Sequence, residues 1–366
     1  MNLRTLRILL WKEVLMLKRN PFIPRMIVAM PLMVMLVLPL IANLDVKNVG
    51  VAVVDNDRSQ LSRRIIADMG SSDYIVVKDV LSTYGEALDK VEHGSADAIV
   101  VIPADYEKNL ANGTLPRLEI DANGVNSTKG MLGAQYAARS AMATVSAWRG
   151  IATSTQDGST LNWFNETLNF KNYMIPALMV VLIIIICGFL PAMNIVSEKE
   201  TGTIEAMNVT PVGKFTFVLS KLIPYWVVGL LVVTIGVLVG WAVYGLVPEG
   251  SLSAIYLGAI LFSLVMSGLG VAIANKSATI LQSIFVMFAF IMIFQLMGGL
   301  FTPISSMPQW AQTITYAVPP RYFIEIMRSV YLKGSTIADL WPQYAALGGI
   351  AMFLCLLAAA TYSKRN

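Results

Sequence analysis

The sequence predicts an α-helical polytopic membrane protein with six transmembrane helices and an α/β extracytoplasmic domain inserted between helices 1 and 2. Three observations carry this reading. Apolar residues make up 56% of the 366 residues and charged residues only 14%, against about 25% charged in soluble domains. The charges are also unevenly placed: residues 45–171 hold 16 of the 23 acids and 12 of the 27 basic residues. Finally, six stretches reach the roughly 20 apolar residues that a membrane crossing needs.

Those stretches are Phe22–Leu44, Tyr173–Val196, Leu222–Leu246, Leu252–Ala274, Ala278–Leu300 and Tyr344–Tyr362. Pro31 and Pro39 should kink the first, with neighbouring helices satisfying the freed carbonyls. A cleaved signal peptide fits the first 45 residues poorly. Its apolar core would be too long, and no small-x-small site follows.

Before the first span, Leu3, Leu6, Leu10, Val14 and Leu17 recur at helical spacing, with Arg4, Arg7, Lys18 and Arg19 mostly elsewhere around the wheel. Residues 1–21 therefore read as an amphipathic helix lying on the inner leaflet, broken from span one (22–44) at Asn20-Pro21. Orientation follows the Lys/Arg bias of the short flanks. Arg4, Arg7, Lys12, Lys18, Arg19 and Arg25 precede span one; Lys199, Lys214 and Lys221 lie between spans two and three; Lys276 follows span four; Lys364 and Arg365 follow span six. All fall on one side. Both termini and the 197–221 loop are expected to be cytoplasmic, in a bacterial inner membrane, with residues 45–171 outside.

The 45–171 insert alternates strand-like and helix-like pieces: Val49–Val54, Ser59–Met69, Tyr74–Val77, Ser82–His93, Ala98–Ile102, a helix opened by Pro103, Leu115–Asp121 and Val125–Gly150. Thr83 with Glu86 fits a capping box. The alternation suggests a small α/β domain.

Catalytic patterns are missing from the sequence. The single histidine, His93, sits at a helix end, and no Cys/His set has metal spacing. Cys187 and Cys355 fall inside apolar runs and read as buried thiols. The segment Gly270–Ser277 approaches a phosphate loop, but Asn275 replaces the needed glycine and no strand precedes it. The six cores lack Asp, Glu, Arg and His; Lys221 reads as the edge of span three, and Gln282 and Gln295 are the strongly polar residues of span five. Proton coupling is disfavoured on that ground. The basic excess is an orientation signal and implies no nucleic acid.

Two segments carry a pattern. Between spans two and three stand Glu198, Lys199, Glu200, Gly202, Thr203, Glu205 and, after Thr210, Pro211. Thr203 can cap a short helix near Ile204 that Pro211 stops. The three glutamates are offset locally by Lys199 alone. After span five come Gly298-Gly299, Pro303, Pro308, then Pro319-Pro320-Arg321-Tyr322-Phe323 and Arg328. The first pattern, Glu-x-Glu-x-Gly-Thr-x-Glu followed by Thr-Pro, resembles the cytoplasmic motif of ABC-2 type permeases, the membrane subunits of ATP-binding-cassette exporters. Thr201 stands where the family usually has a basic residue. The second resembles that family's outer re-entrant segment, here 301–328. One span, a large outer domain and five more spans (172–366) resembles the multidrug-type efflux subgroup.

The resemblance implies a permease that binds no cofactor itself, with ATP and Mg used by separate cytoplasmic ABC ATPase subunits docking on the 198–211 segment. It implies a second permease chain, identical or paralogous, and it leaves room for a periplasmic adaptor. Two other classes remain open at this level: a membrane-anchored scaffold or receptor whose outer domain binds a partner, and an ion-coupled secondary transporter.

Overall fold

The computed structural model describes residues 3–19, 23–41, 48–72, 74–114, 116–150, 170–204 and 212–361. In chain order the elements are α1 (Leu3–Arg19), α2 (Ile23–Ile41), β1 (Val49–Asp55), α3 (Gln60–Gly70), β2 (Ile75–Leu81), α4 (Tyr84–Glu92), β3 (Ala98–Ile102), α5 (Tyr106–Ala111), β4 (Glu119–Ala122) and α6 (Ser127–Trp148). Then follow α7 (Phe170–Glu200), α8 (Lys214–Tyr244), α9 (Leu252–Lys276), α10 (Ile280–Met297), α11 (Gln309–Thr315), α12 (Pro319–Lys333) and α13 (Trp341–Thr361). The chain divides into two compact units, residues 1–42 with 163–366, and residues 43–162.

In the helical unit, α2, α7, α8, α9, α10 and α13 are each long and apolar enough to cross a membrane. They are spans one to six. Spans two and four form the centre of the bundle, 78% buried over their most apolar windows, while spans one, five and six are 17–22% buried. The outer spans are apolar because lipid, not protein, faces them. Small residues let the central helices approach: the Gly270 Cα lies against the Gly188 backbone, and Gly229 lies against the Cys187 side chain. Such contacts replace the hydrophobic drive that lipid removes.

The prolines are accommodated by neighbours. Pro39 cannot donate to Met35 O, and the Tyr244 hydroxyl does so instead at 2.9 Å. Pro191 has no N–H for Cys187 O, and the helix widens into a π-turn over Ile184–Phe189 just before it. Cys187 is buried as expected, but Cys355 is exposed, because span six turns it outward.

Two boundaries move. Span three begins at Lys214, not near Leu222, so Lys221 lies two turns inside the helix. Helix α7 runs on to Glu200, so the link between spans two and three is 201–213. Polar residues continue both helices because their charges find partners inside the bundle.

The 43–162 unit holds a four-stranded sheet of order β2-β1-β3-β4. β1 pairs in parallel with β2 and β3, and β4 runs antiparallel to β3. Central β1 is buried along its whole length, as a strand covered on both faces must be. Val49, Val51, Val53 and Val100 face Leu61 and Ile65 of α3 and Ala137 and Ala141 of α6. Ala52, Val54 and Ile99 face Ala87 of α4. The Thr83 hydroxyl accepts from Glu86 N, capping α4. The helix after Pro103 starts three residues later than that proline, at Tyr106.

Candidate functional site

The end of the helical unit where span two gives way to span three carries an unusual concentration of buried charge. The Lys221 ammonium has no exposed surface. It lies 2.8 Å from Glu198 Oε2 and 3.1 Å from Glu13 Oε1, and it donates to Asn194 Oδ1 at 2.8 Å. Of its three donors, two hydrogen-bond to Glu13 and Asn194, and the Glu198 carboxylate lies at ion-pair distance. Glu198 is closed on its other side by the Lys12 ammonium, 3.1 Å from Oε1, and Lys12 lies 3.3 Å from Glu13. Burial alone would lower the Lys12 pKa, but the Glu198 and Glu13 carboxylates outweigh it and hold the group above the ordinary lysine value. Two lysines thus match two carboxylates, the condition for burying charge.

Glu198 is 6% exposed and paired with lysines from two other helices. Helix α1 packs against span three. Its buried face centres on Leu6 and Glu13, while Leu3 and Val14 are exposed, because the helix packs on span three through an acid as well as through leucine.

Lys199 and Glu200 turn toward a different pair of helices. The Lys199 ammonium donates to Ala274 O at 2.7 Å and Asn275 O at 2.9 Å, in the last turn of span four, and to Ser277 O at 3.3 Å, its C-cap. Glu200 Oε1 accepts from Ile280 N, the first N–H of span five, at 2.6 Å. A cation at a helix C-terminus and an anion at the next N-terminus both oppose the local helix dipole. Gln282 belongs to the same junction. Its side chain accepts from Ala278 N at 2.9 Å, and its N–H is capped by the Thr279 hydroxyl.

Beyond Glu200 the helix stops. Thr201 is the C-cap and Gly202 follows with φ +70°, a left-handed position that favours glycine. Thr201 and Thr203 are exposed, and their hydroxyls lie 3.1 Å apart. Ile204 is buried among Ala192, Val196 and Phe217. Thr203 already has helical hydrogen bonding, so it starts the new turn rather than standing before it. Glu205 and Pro211 lie outside the described residues.

At the bundle's other end, Gly298 caps span five and Gly299 has φ +84°. Pro303 and Pro308 flank a short 3-10 turn and open α11, and Pro319-Pro320 open α12. Helix α12 runs beside span four: Phe323 stacks on Phe262 at 4.9 Å, about three turns into that span, and Val330 O accepts from Gly250 N at 2.9 Å, at its start. Gly258 leaves room for the Phe323 ring.

Arg321 donates to Thr315 Oγ1 and lies 4.0 Å from the Tyr316 ring centre. Arg328 donates to Tyr173 O at 3.1 Å, Gly299 O at 2.8 Å and Leu300 O at 2.9 Å, and lies 3.4 Å from the Tyr173 ring centre. A cavity of about 570 Å³ opens here, lined by Tyr173, Gln312, Arg321, Glu325 and Arg328.

Sequence reasoning missed Lys12, Glu13, Asn194 and Lys221 at one end and Tyr173 at the other. A lysine within an apolar span is itself a signal that a partner exists inside the membrane protein. Lys221 carried that signal.

Among the described residues, six membrane-length helices with a seventh helix packed beside span four make this a polytopic membrane protein. Residues 23–360 match the ABC-2 family of transporter proteins, and the chain belongs to that family. It is 25% identical over 336 residues to the probable multidrug ABC transporter permease YbhR of Escherichia coli K12, covering 91% of each chain. It is 26% identical over 349 residues to the probable multidrug ABC transporter permease YbhS of the same strain, covering 91% of this chain and 89% of the relative. The linearmycin resistance permease protein LnrN of Bacillus subtilis 168 is 21% identical over 342 residues, with 86% of each covered.

Proposed function

We propose that this membrane permease moves a drug-like or amphipathic compound outward, using ATP hydrolysed with Mg by a separate cytoplasmic ABC ATPase. The observation that carries the reading is the end of span two. There a membrane helix passes through charged residues held by other helices of the chain and breaks at Gly202, leaving Thr201 and Thr203 exposed. A segment whose root is fixed and whose next turn is exposed suits docking on a soluble partner. In this reading the chain hydrolyses nothing itself, and two permease chains pair around one path. Both termini and the 201–213 link are cytoplasmic, in a bacterial inner membrane. The α/β unit lies outside, between helices 1 and 2, where a periplasmic adaptor would meet it. Helix α12 and the cavity beside Arg328 form the outer, re-entrant part of the path.

The test is reconstitution. The chain is co-expressed with ABC ATPase subunits from the same genome, purified, and placed in vesicles loaded with fluorescent amphipathic dyes. Dye movement that requires ATP and a functional ATPase supports the exporter. Movement that collapses with an uncoupler while ATP is maintained, or failure of any ATPase to co-purify, overturns it.

A further inference from the structure

Three consecutive residues at the end of span two reach three different directions. Glu198 holds Lys12 of α1 and Lys221 of span three. Lys199 holds carbonyls in the last turn of span four, and Glu200 holds the first amide of span five. The link between spans four and five is only Ser277, Ala278 and Thr279. Both of its helix ends are therefore tied to one helical turn of span two. Asn275 extends the tie: its side-chain amide donates to Ala358 O at 3.0 Å and Thr361 Oγ1 at 3.1 Å, at the end of span six.

We infer that Lys199 and Glu200 are positioning residues that staple span two to the span four–five link, so that a displacement at Gly202–Ile204 moves spans two, four and five together. Their side chains are spent on the chain's own backbone rather than on a partner. The geometry favours a mechanical tie over simple neutralisation. Lys199 has no carboxylate within ion-pair distance among the described residues, yet all three of its donors are aimed at one helix terminus. Glu200 does the converse at the adjoining terminus. Without the pair, the link would be joined to span two by apolar contacts alone, which resist sliding weakly. This inference rests on the ATPase-driven reading above, since that supplies the displacement.

The experiment uses the full permease–ATPase complex with spin labels at two exposed positions, Ile8 in α1 and Leu281 in the first turn of span five, and with Cys355 replaced by Ser. Distances are measured with and without a non-hydrolysable ATP analogue. The expected result is an Ile8–Leu281 distance that nucleotide leaves unchanged in wild type and Lys199→Arg, because α1, span two and span five move together, and that changes by roughly 2 Å, the scale of helix shifts in switching proteins, in Lys199→Met. Glu200→Ala is the second, independent arm and should show the same change. Hydrogen exchange of the Ile280 amide should rise in the same variants. An equal shift in wild type, Lys199→Met and Glu200→Ala overturns the staple while leaving the exporter reading intact. If no ATPase co-purifies with the wild-type chain, the exporter reading falls first and the staple falls with it.

Discussion

The Glu198 carboxylate lies 2.8 Å from the Lys221 ammonium, joining the last turn of span two to the third turn of span three where both side chains are buried. Removing one member of such a pair strands the other. Lys221→Met should destabilise the folded permease by about 3–5 kcal/mol, because Glu13 and Glu198 would share only Lys12. The double variant Lys221→Met with Glu198→Gln should recover part of that loss. Denaturation of the detergent-solubilised protein measures both, and additive losses would show that the two residues do not act as a pair.

Gly202 is the second site of prediction. Its φ of +70° is open to alanine at about 1–2 kcal/mol and closed to proline, whose ring fixes φ near −65°. Gly202→Ala should insert normally with a modest loss of substrate-stimulated ATP hydrolysis in the complex. Gly202→Pro should insert but lose most of the stimulation. A substitution at Asn112, exposed at the end of α5, is the control. Equal stimulation in Gly202→Pro and control would make 201–213 an ordinary link.

Arg328 should be irreplaceable by lysine. Its planar fork serves three carbonyls on two segments while stacking on Tyr173, and an ammonium cannot reproduce that geometry. Arg328→Lys and Arg328→Gln should both speed hydrogen exchange or proteolysis across 298–306, with Gln the more severe. Hydrogen bonds to a charged donor contribute about 1.5–3 kcal/mol each. Unchanged protection in both variants would show that Pro303 and Pro308 alone hold this turn.

Topology is testable by labelling introduced cysteines. A thiol near Asp97 should react from outside the cell, and one at Gly202 should not. Excising 48–150 should leave membrane insertion intact but abolish export. The reverse labelling pattern would invert the orientation, and full export after excision would remove any transport role from the α/β unit.

What the sequence determined by itself was local. Six apolar runs marked six spans, because crossing length and hydropathy are properties of a contiguous stretch. Valine-rich runs marked β1 and β3, and Thr83 marked its helix. The Glu-x-Glu-x-Gly-Thr pattern pointed to the family. Only the tertiary structure decided which charges are buried. Glu198 meets Lys12 from 186 residues away, Lys199 meets carbonyls 75 and 76 residues away, and Arg328 meets Tyr173 from 155 away. The strand order β2-β1-β3-β4 is of the same kind. Read alone, Glu198 is a solvated acid, since a charge in water needs no partner. Inside a bundle, each buried charge must find an opposite charge or a helix end, and packing alone brings those within reach.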